Sequence, residues 1–215
     1  MRLRLTFAKT AAMRYTSHLD LHRTWERTFR RARLPLAYSQ GFNPHPRLNL
    51  ASSLPLGFTS EAELIDAWLE QEVPLAEIET ALQPALPPGL QVLSLESVDL
   101  RLPALQTVVH SAEYVITLLE QQPDLDVRLE KLLAAASLPR RRREKDYDLR
   151  PLVFDLRRLP DDEDGRQRLW ASLSARESAL ARPDEVLAEL GVAAADARVH
   201  RTRLLFDQPQ ASPAA

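Results

Sequence analysis

The side chains that could do chemistry are concentrated between Arg14 and Arg47. The stretch RYTSHLDLHRTWERTFRRARLPLAYSQGFNPHPR holds three of the five histidines, two of the four tyrosines and one of the three tryptophans. Residues 1–50 carry ten Lys or Arg against two acids, a local balance of +8. The whole chain stands at −2, so the other 165 residues carry −10. Such asymmetry points the N-terminal part at an anionic partner. Three chemistries compete for these residues. In the first, Arg14, Arg23, Arg27, Arg30, Arg31 and Arg47 hold phosphates, since guanidinium groups bind them bidentately. Tyr15, Tyr38 and Phe42 then stack on unpaired bases, and Gln40, Gly41, Asn43 and His45 shape a selective loop. In the second, Tyr15, His18 and His45 act as general acid and base in metal-independent RNA cleavage, because imidazole titrates near neutrality. In the third, His18 and His22 share a helix face at i and i+4 and begin a metal site. Spacing supplies no third ligand, so no metal is expected.

Composition narrows the field. The chain has no cysteine, which excludes disulfides, a thiolate nucleophile, cysteine-ligated zinc and an iron–sulfur cluster held by this chain alone. Five glycines in 215 residues leave little room for a phosphate-cradling loop. No apolar run approaches the roughly 20 residues that cross a bilayer. The start, MRLRLTFAK, lacks a signal-peptide apolar region. A cytoplasmic protein without membrane contact or cofactor is expected.

The positioning elements follow from periodicity. Ser17 is placed to cap a helix, with Asp20 three residues on. Leu21, Trp25, Thr28, Phe29 and Ala32 form its apolar stripe, and Arg23, Arg27, Arg30 and Arg31 another face. Pro35 should end it, and Asn43-Pro44 and His45-Pro46 should stiffen the following loop. Strands are expected at Arg2–Phe7, Leu48–Leu56, Ala62–Leu69 and Leu90–Val98, with a second helix over Leu75–Leu86. Pro103–Ser111 reads as a connector. Beyond it come a strand at Ala112–Leu119, a helix at Asp124–Ala136, strands at Lys145–Leu159 and Gln167–Ser174, a helix at Pro183–Leu190 and a strand at Ala197–Phe206. The order β-α-β-β-α-β occurs twice. The expected fold is therefore α+β, with two tandem ferredoxin-like (βαββαβ) units over 1–103 and 111–207, and a disordered tail at 208–215. The run Arg140–Arg143 has the look of a mobile loop surface.

Residues 14–63, RYTSHLDLHRTWERTFRRARLPLAYSQGFNPHPRLNLASSLPLGFTSEAE, and more weakly KDYDLRPLV at 145–153, resemble the radical SAM-linked domain of unknown function. That family occurs beside radical SAM proteins or fused to them. Its pattern usually has methionine where this chain has His22, and glycine near Ala11 or Ala12. The resemblance implies a radical SAM protein as partner. It also brings Lys145, Asp148 and Arg150 toward the same site. The expectation is a non-catalytic accessory that binds RNA or another polyanion. The alternatives are a protein-interaction module that docks on the radical SAM partner without nucleic acid, and a metal-independent ribonuclease.

Overall fold

Alternation makes the first strand, β1 (Arg2–Lys9), in the computed structural model, which describes residues 1–142 and 144–207. Leu3, Leu5 and Phe7 are fully buried on one face. The chain divides into two units, Met1–Val108 and Val109–Ala215, and both mix helix with sheet. The first continues with α1 (His18–Arg31), β2 (Leu48–Leu50), β3 (Thr59–Trp68), α2 (Leu75–Leu82), β4 (Leu90–Val98) and α3 (Leu105–Val108). β1 pairs antiparallel with both β3 and β4, and β2 pairs antiparallel with β3, giving the order β2-β3-β1-β4. The apolar stripe of α1 is buried over Leu21, Trp25, Thr28 and Phe29. Trp25 sits 4.8 Å from the Phe7 ring and 5.4 Å from that of Phe29. Each such side chain removed from water contributes about 1.5–3 kcal/mol. The helix is therefore fastened along its length.

The other face of this sheet is closed by charge. Arg2 Nη2 lies 2.6 Å and Arg4 Nε 2.8 Å from the Asp66 carboxylate, all three side chains being buried. Arg2 also donates to the carbonyls of Leu102 (2.5 Å) and Pro103 (2.8 Å). Those bonds correct the expected connector over Pro103–Ser111. It is anchored by Arg2, turns into α3 with Leu105 buried, and β5 starts at Val109.

The second unit comprises β5 (Val109–Leu118), α4 (Leu125–Ala134), β6 (Pro139–Arg142), β7 (Lys145–Asp148), β8 (Val153–Leu159), β9 (Arg168–Arg176), β10 (Ala179–Leu180), α5 (Pro183–Glu189) and β11 (Ala197–Phe206). Its antiparallel sheet runs β8-β9-β5-β11, with β10 on the end of β9 and β6–β7 as a separate hairpin. Tyr114, Ile116, Leu156, Leu169, Ala171, Leu173 and Val199 are buried on its inner face, as are Leu129 of α4 and Val186 of α5.

Two strand expectations are corrected. Lys145–Leu159 is not one strand. Asp148 caps a break, a 3-10 turn occupies Arg150–Leu152, and the halves join different partners. Leu48–Leu56 keeps only β2, because Ser52, Ser53 and Pro55 leave the ladder. The tail at 208–215 and Arg143 lie outside the described residues. No helix among the described residues is long and apolar enough to cross a membrane.

Candidate functional site

α1 is the element that carries the cations. Ser17 Oγ accepts from the Asp20 amide (3.2 Å) and donates to its carboxylate (2.7 Å), fixing the first turn. Along the exposed face Arg23 lies 3.4 Å from Asp20 and Arg30 2.9 Å from Glu26. Arg27 and Arg31 are exposed and have no carboxylate partner among the described residues. The helix ends in a left-handed turn at Arg33, φ 56°. The Leu34 amide reaches back to Phe29 O (3.2 Å) and the Arg33 amide to Arg30 O (3.0 Å). Glycine usually fills that position. Here it carries a third exposed guanidinium without a carboxylate partner among the described residues, which sequence reasoning missed; its only signal was a cation two residues before the helix-ending Pro35.

The loop after the helix is a short hairpin. Leu36 bridges Leu69 and Tyr38 bridges Pro46. The Arg47 amide donates to Ala37 O (2.8 Å), the Ser39 amide to His45 O (2.8 Å), and the His45 amide to Ser39 Oγ (3.0 Å). Its tip, Gln40–Pro44, is exposed. Phe42 is at 106% of its reference exposure, beside Gly41 at φ 136°. Arg47 stacks over Trp68, with its guanidinium carbon 4.9 Å from the ring.

Sheet register then separates what the sequence reading had grouped. The hairpin leaves from the Trp68 end of β3, where Arg2 pairs with Trp68. Tyr15 and His18 lie at the opposite end, where Lys9 pairs with Ser60. There the buried Lys9 ammonium donates to the carbonyls of Arg14 (3.3 Å), Thr16 (2.9 Å) and Phe58 (3.0 Å). The acid–base trio Tyr15, His18 and His45 is therefore divided between the two ends of the β1–β3 ladder. No group of three His, Cys, Asp or Glu residues that could hold a metal exists among the described residues. The Tyr15 end is apolar outside. Tyr15, Leu19 and Leu56 are 80%, 68% and 60% exposed, and the Gly57 amide donates to Arg14 O.

Two arginines of the second unit's basic run, Arg140 and Arg142, are clasped by acids of α5. Arg140 pairs with Glu189 and Arg142 with Glu185 (2.6 Å to Oε2), and the Tyr147 hydroxyl donates to Glu185. Burial first, then the Glu185 carboxylate, holds the Tyr147 phenol above its ordinary range. Asp148 accepts from the amides of Leu138 (2.7 Å) and Arg150 (2.9 Å). Those bonds hold its carboxyl below the usual carboxylate range. Arg150 donates to the carbonyls of Leu133 (2.9 Å) and Val153 (3.0 Å). Lys145 is exposed.

Together these features define a mixed α+β protein of two sheet units with one strongly cationic helix and hairpin. Over residues 2–183 the chain matches, and belongs to, the family described as "Uncharacterized protein conserved in bacteria (DUF2344)". No curated protein matches it. Among solved structures it is similar to a chain of a Cbf5–Nop10–Gar1 complex at 10% identity and TM-score 0.52, over 96% of this chain and 50% of that one. A chain of the archaeal box H/ACA sRNP Nop10–Cbf5 complex gives 10% identity and TM-score 0.45, over 93% and 46%. The chain thus spans about half the length of these solved relatives, and the likeness is one of fold.

Proposed function

We propose that this protein binds RNA through the C-terminal end of α1 and the adjoining hairpin, as a non-catalytic accessory to a radical SAM enzyme, and that both its units are ferredoxin-like. The observation that carries the reading is the placement of cations. Arg27, Arg31 and Arg33 are exposed without acidic partners among the described residues, and the hairpin leaves the same end of the unit with Phe42 held outward. Guanidinium groups beside a projecting aromatic suit phosphates and an unstacked base. The radical SAM partner comes from the resemblance over residues 14–63, and the absence of cysteine fits a subunit that leaves the cluster chemistry to another chain. A gel shift with bulk tRNA tests the RNA reading. Retardation that weakens steeply as salt rises is expected, together with its loss in the Arg27→Glu/Arg31→Glu variant. No shift at low salt ends the idea.

One observation favours a second reading, a protein-docking module. The exposed Leu19 lies at the far end of α1, and the exposed Tyr15 and Leu56 lie on the flanking segments that Lys9 ties together through Thr16 and Phe58. If docking is the function, Leu19→Glu abolishes co-purification with the radical SAM partner, and tRNA is never retarded.

A further inference from the structure

We infer that the open face of the second unit's sheet is a second RNA contact, one for unpaired strand, with Trp170 as the stacking residue and Arg157, Arg168 and Arg198 as phosphate contacts. The ligand rests on the RNA reading above, whereas the residues are independent of α1 and its hairpin.

Directly paired residues in an antiparallel sheet share a face. Trp170 of β9 is paired with Val115 of β5 on one side and Arg157 of β8 on the other. Arg168 is paired with Thr117, which is paired in turn with Arg198 of β11. All of these project from the side opposite the buried Leu169, Ala171 and Ile116. None is buried, and Arg157 and Arg198 are exposed. Trp170 is therefore on a central strand, with guanidinium groups to either side. The Arg157 guanidinium carbon lies 4.3 Å from the Trp170 ring, a flat cationic platform. None of the three arginines has a carboxylate partner among the described residues. Of the acids sharing the face, Glu113 is engaged by Arg203 at 3.7 Å, which leaves Asp155.

The first unit supplies the contrast. The equivalent side of its sheet is closed by the buried Arg2–Asp66–Arg4 group and the carbonyls of Leu102 and Pro103. A structural role would have been served by the same closure in the second unit. Four strands about 4.8 Å apart make a platform about 14 Å wide. An exposed four-stranded sheet with a central aromatic takes splayed bases, two or three at a time, whereas a duplex keeps its base faces stacked inside. The chemistry selects single-stranded or looped RNA.

The test uses the full chain and a fluorescein-labelled RNA of about 12 nucleotides, within the usual site sizes, read by anisotropy both as single strand and as duplex. Trp170→Ala is expected to weaken single-strand binding roughly five- to a hundredfold, with the duplex unaffected. Trp170→Phe should stay within about threefold of the parent chain, because the ring is what stacks. Arg198→Glu, at an exposed position, removes no buried side chain and should weaken binding as well. Unchanged single-strand affinity in Trp170→Ala and Arg198→Glu overturns the proposal. Equal losses for strand and duplex overturn it too. If Arg27→Glu/Arg31→Glu loses binding while these variants keep it, the α1 reading stands alone. The reverse pattern removes the α1 site and keeps this one.

Discussion

At the scale of single residues, the two cations that matter most here do opposite things. Lys9 is buried with its ammonium on three carbonyls, so its charge is satisfied internally and offers nothing to a ligand. Lys9→Met keeps the shape and strips those carbonyls of their donor. The expected loss is on the order of 3 kcal/mol, read as a lower urea midpoint; an unchanged midpoint would show that the Tyr15 loop holds itself. Arg33 is the inverse case. Its φ of 56° is left-handed, where a side chain costs about 1 kcal/mol that glycine does not. A helix end that served stability alone would be expected to carry glycine. Arg33→Gly should therefore raise the melting temperature while weakening tRNA retention, an opposition that a merely structural arginine cannot produce. Loss of both together would place Arg33 in the fold and not in the site.

At the scale of elements, local pattern was legible and pairing was not. Arg2–Phe7 and Ala197–Phe206 alternate, and each lies within a strand. The α1 stripe and its Ser17 cap are likewise where the periodicity places them. What alternation does not encode is which strand lies beside which. The β1–β3 register alone decides that Tyr15 and His18 stand at one end and His45 at the other. A stretch such as Lys145–Leu159 looks continuous because its apolar residues recur, although Asp148 breaks it by capping two amides. That cap yields a pH prediction. The folded state holds the Asp148 carboxyl below its ordinary range, so it contributes stability above the unfolded value near 4, about the usual figure for Asp. The contribution is lost as pH falls through the lower folded value. Asp148→Asn should be less stable than the parent at neutral pH, with the gap closing on acidification. Melting curves across the acid range would show it; a gap of constant size would assign the loss to hydrogen-bond geometry and not to charge.

For the molecule as a whole, the question is how a chain at −2 can present a polyanion site. Much of the N-terminal excess is internal. Arg2, Arg4 and Lys9 are buried, and Arg23 and Arg30 face acids of their own helix. Composition overstated the field for that reason, since counting charges cannot tell a cation that braces a sheet from one that meets solvent. What is left is few and local, and a local site makes a small, countable number of phosphate contacts. Binding should then weaken as salt rises in proportion to that number, each contact to a single strand adding about 0.7 to the fall of log K with log salt. Replacing Arg27 and Arg31 together by alanine is expected to flatten that slope by about 1.4, measured by titrating tRNA at a series of salt concentrations. Weaker binding with an unaltered slope would mean that these arginines act through the folding of α1 instead of through phosphate. An unaltered affinity would move the whole polyanion contact away from the first unit, leaving the Trp170 face to account for any retardation that remains.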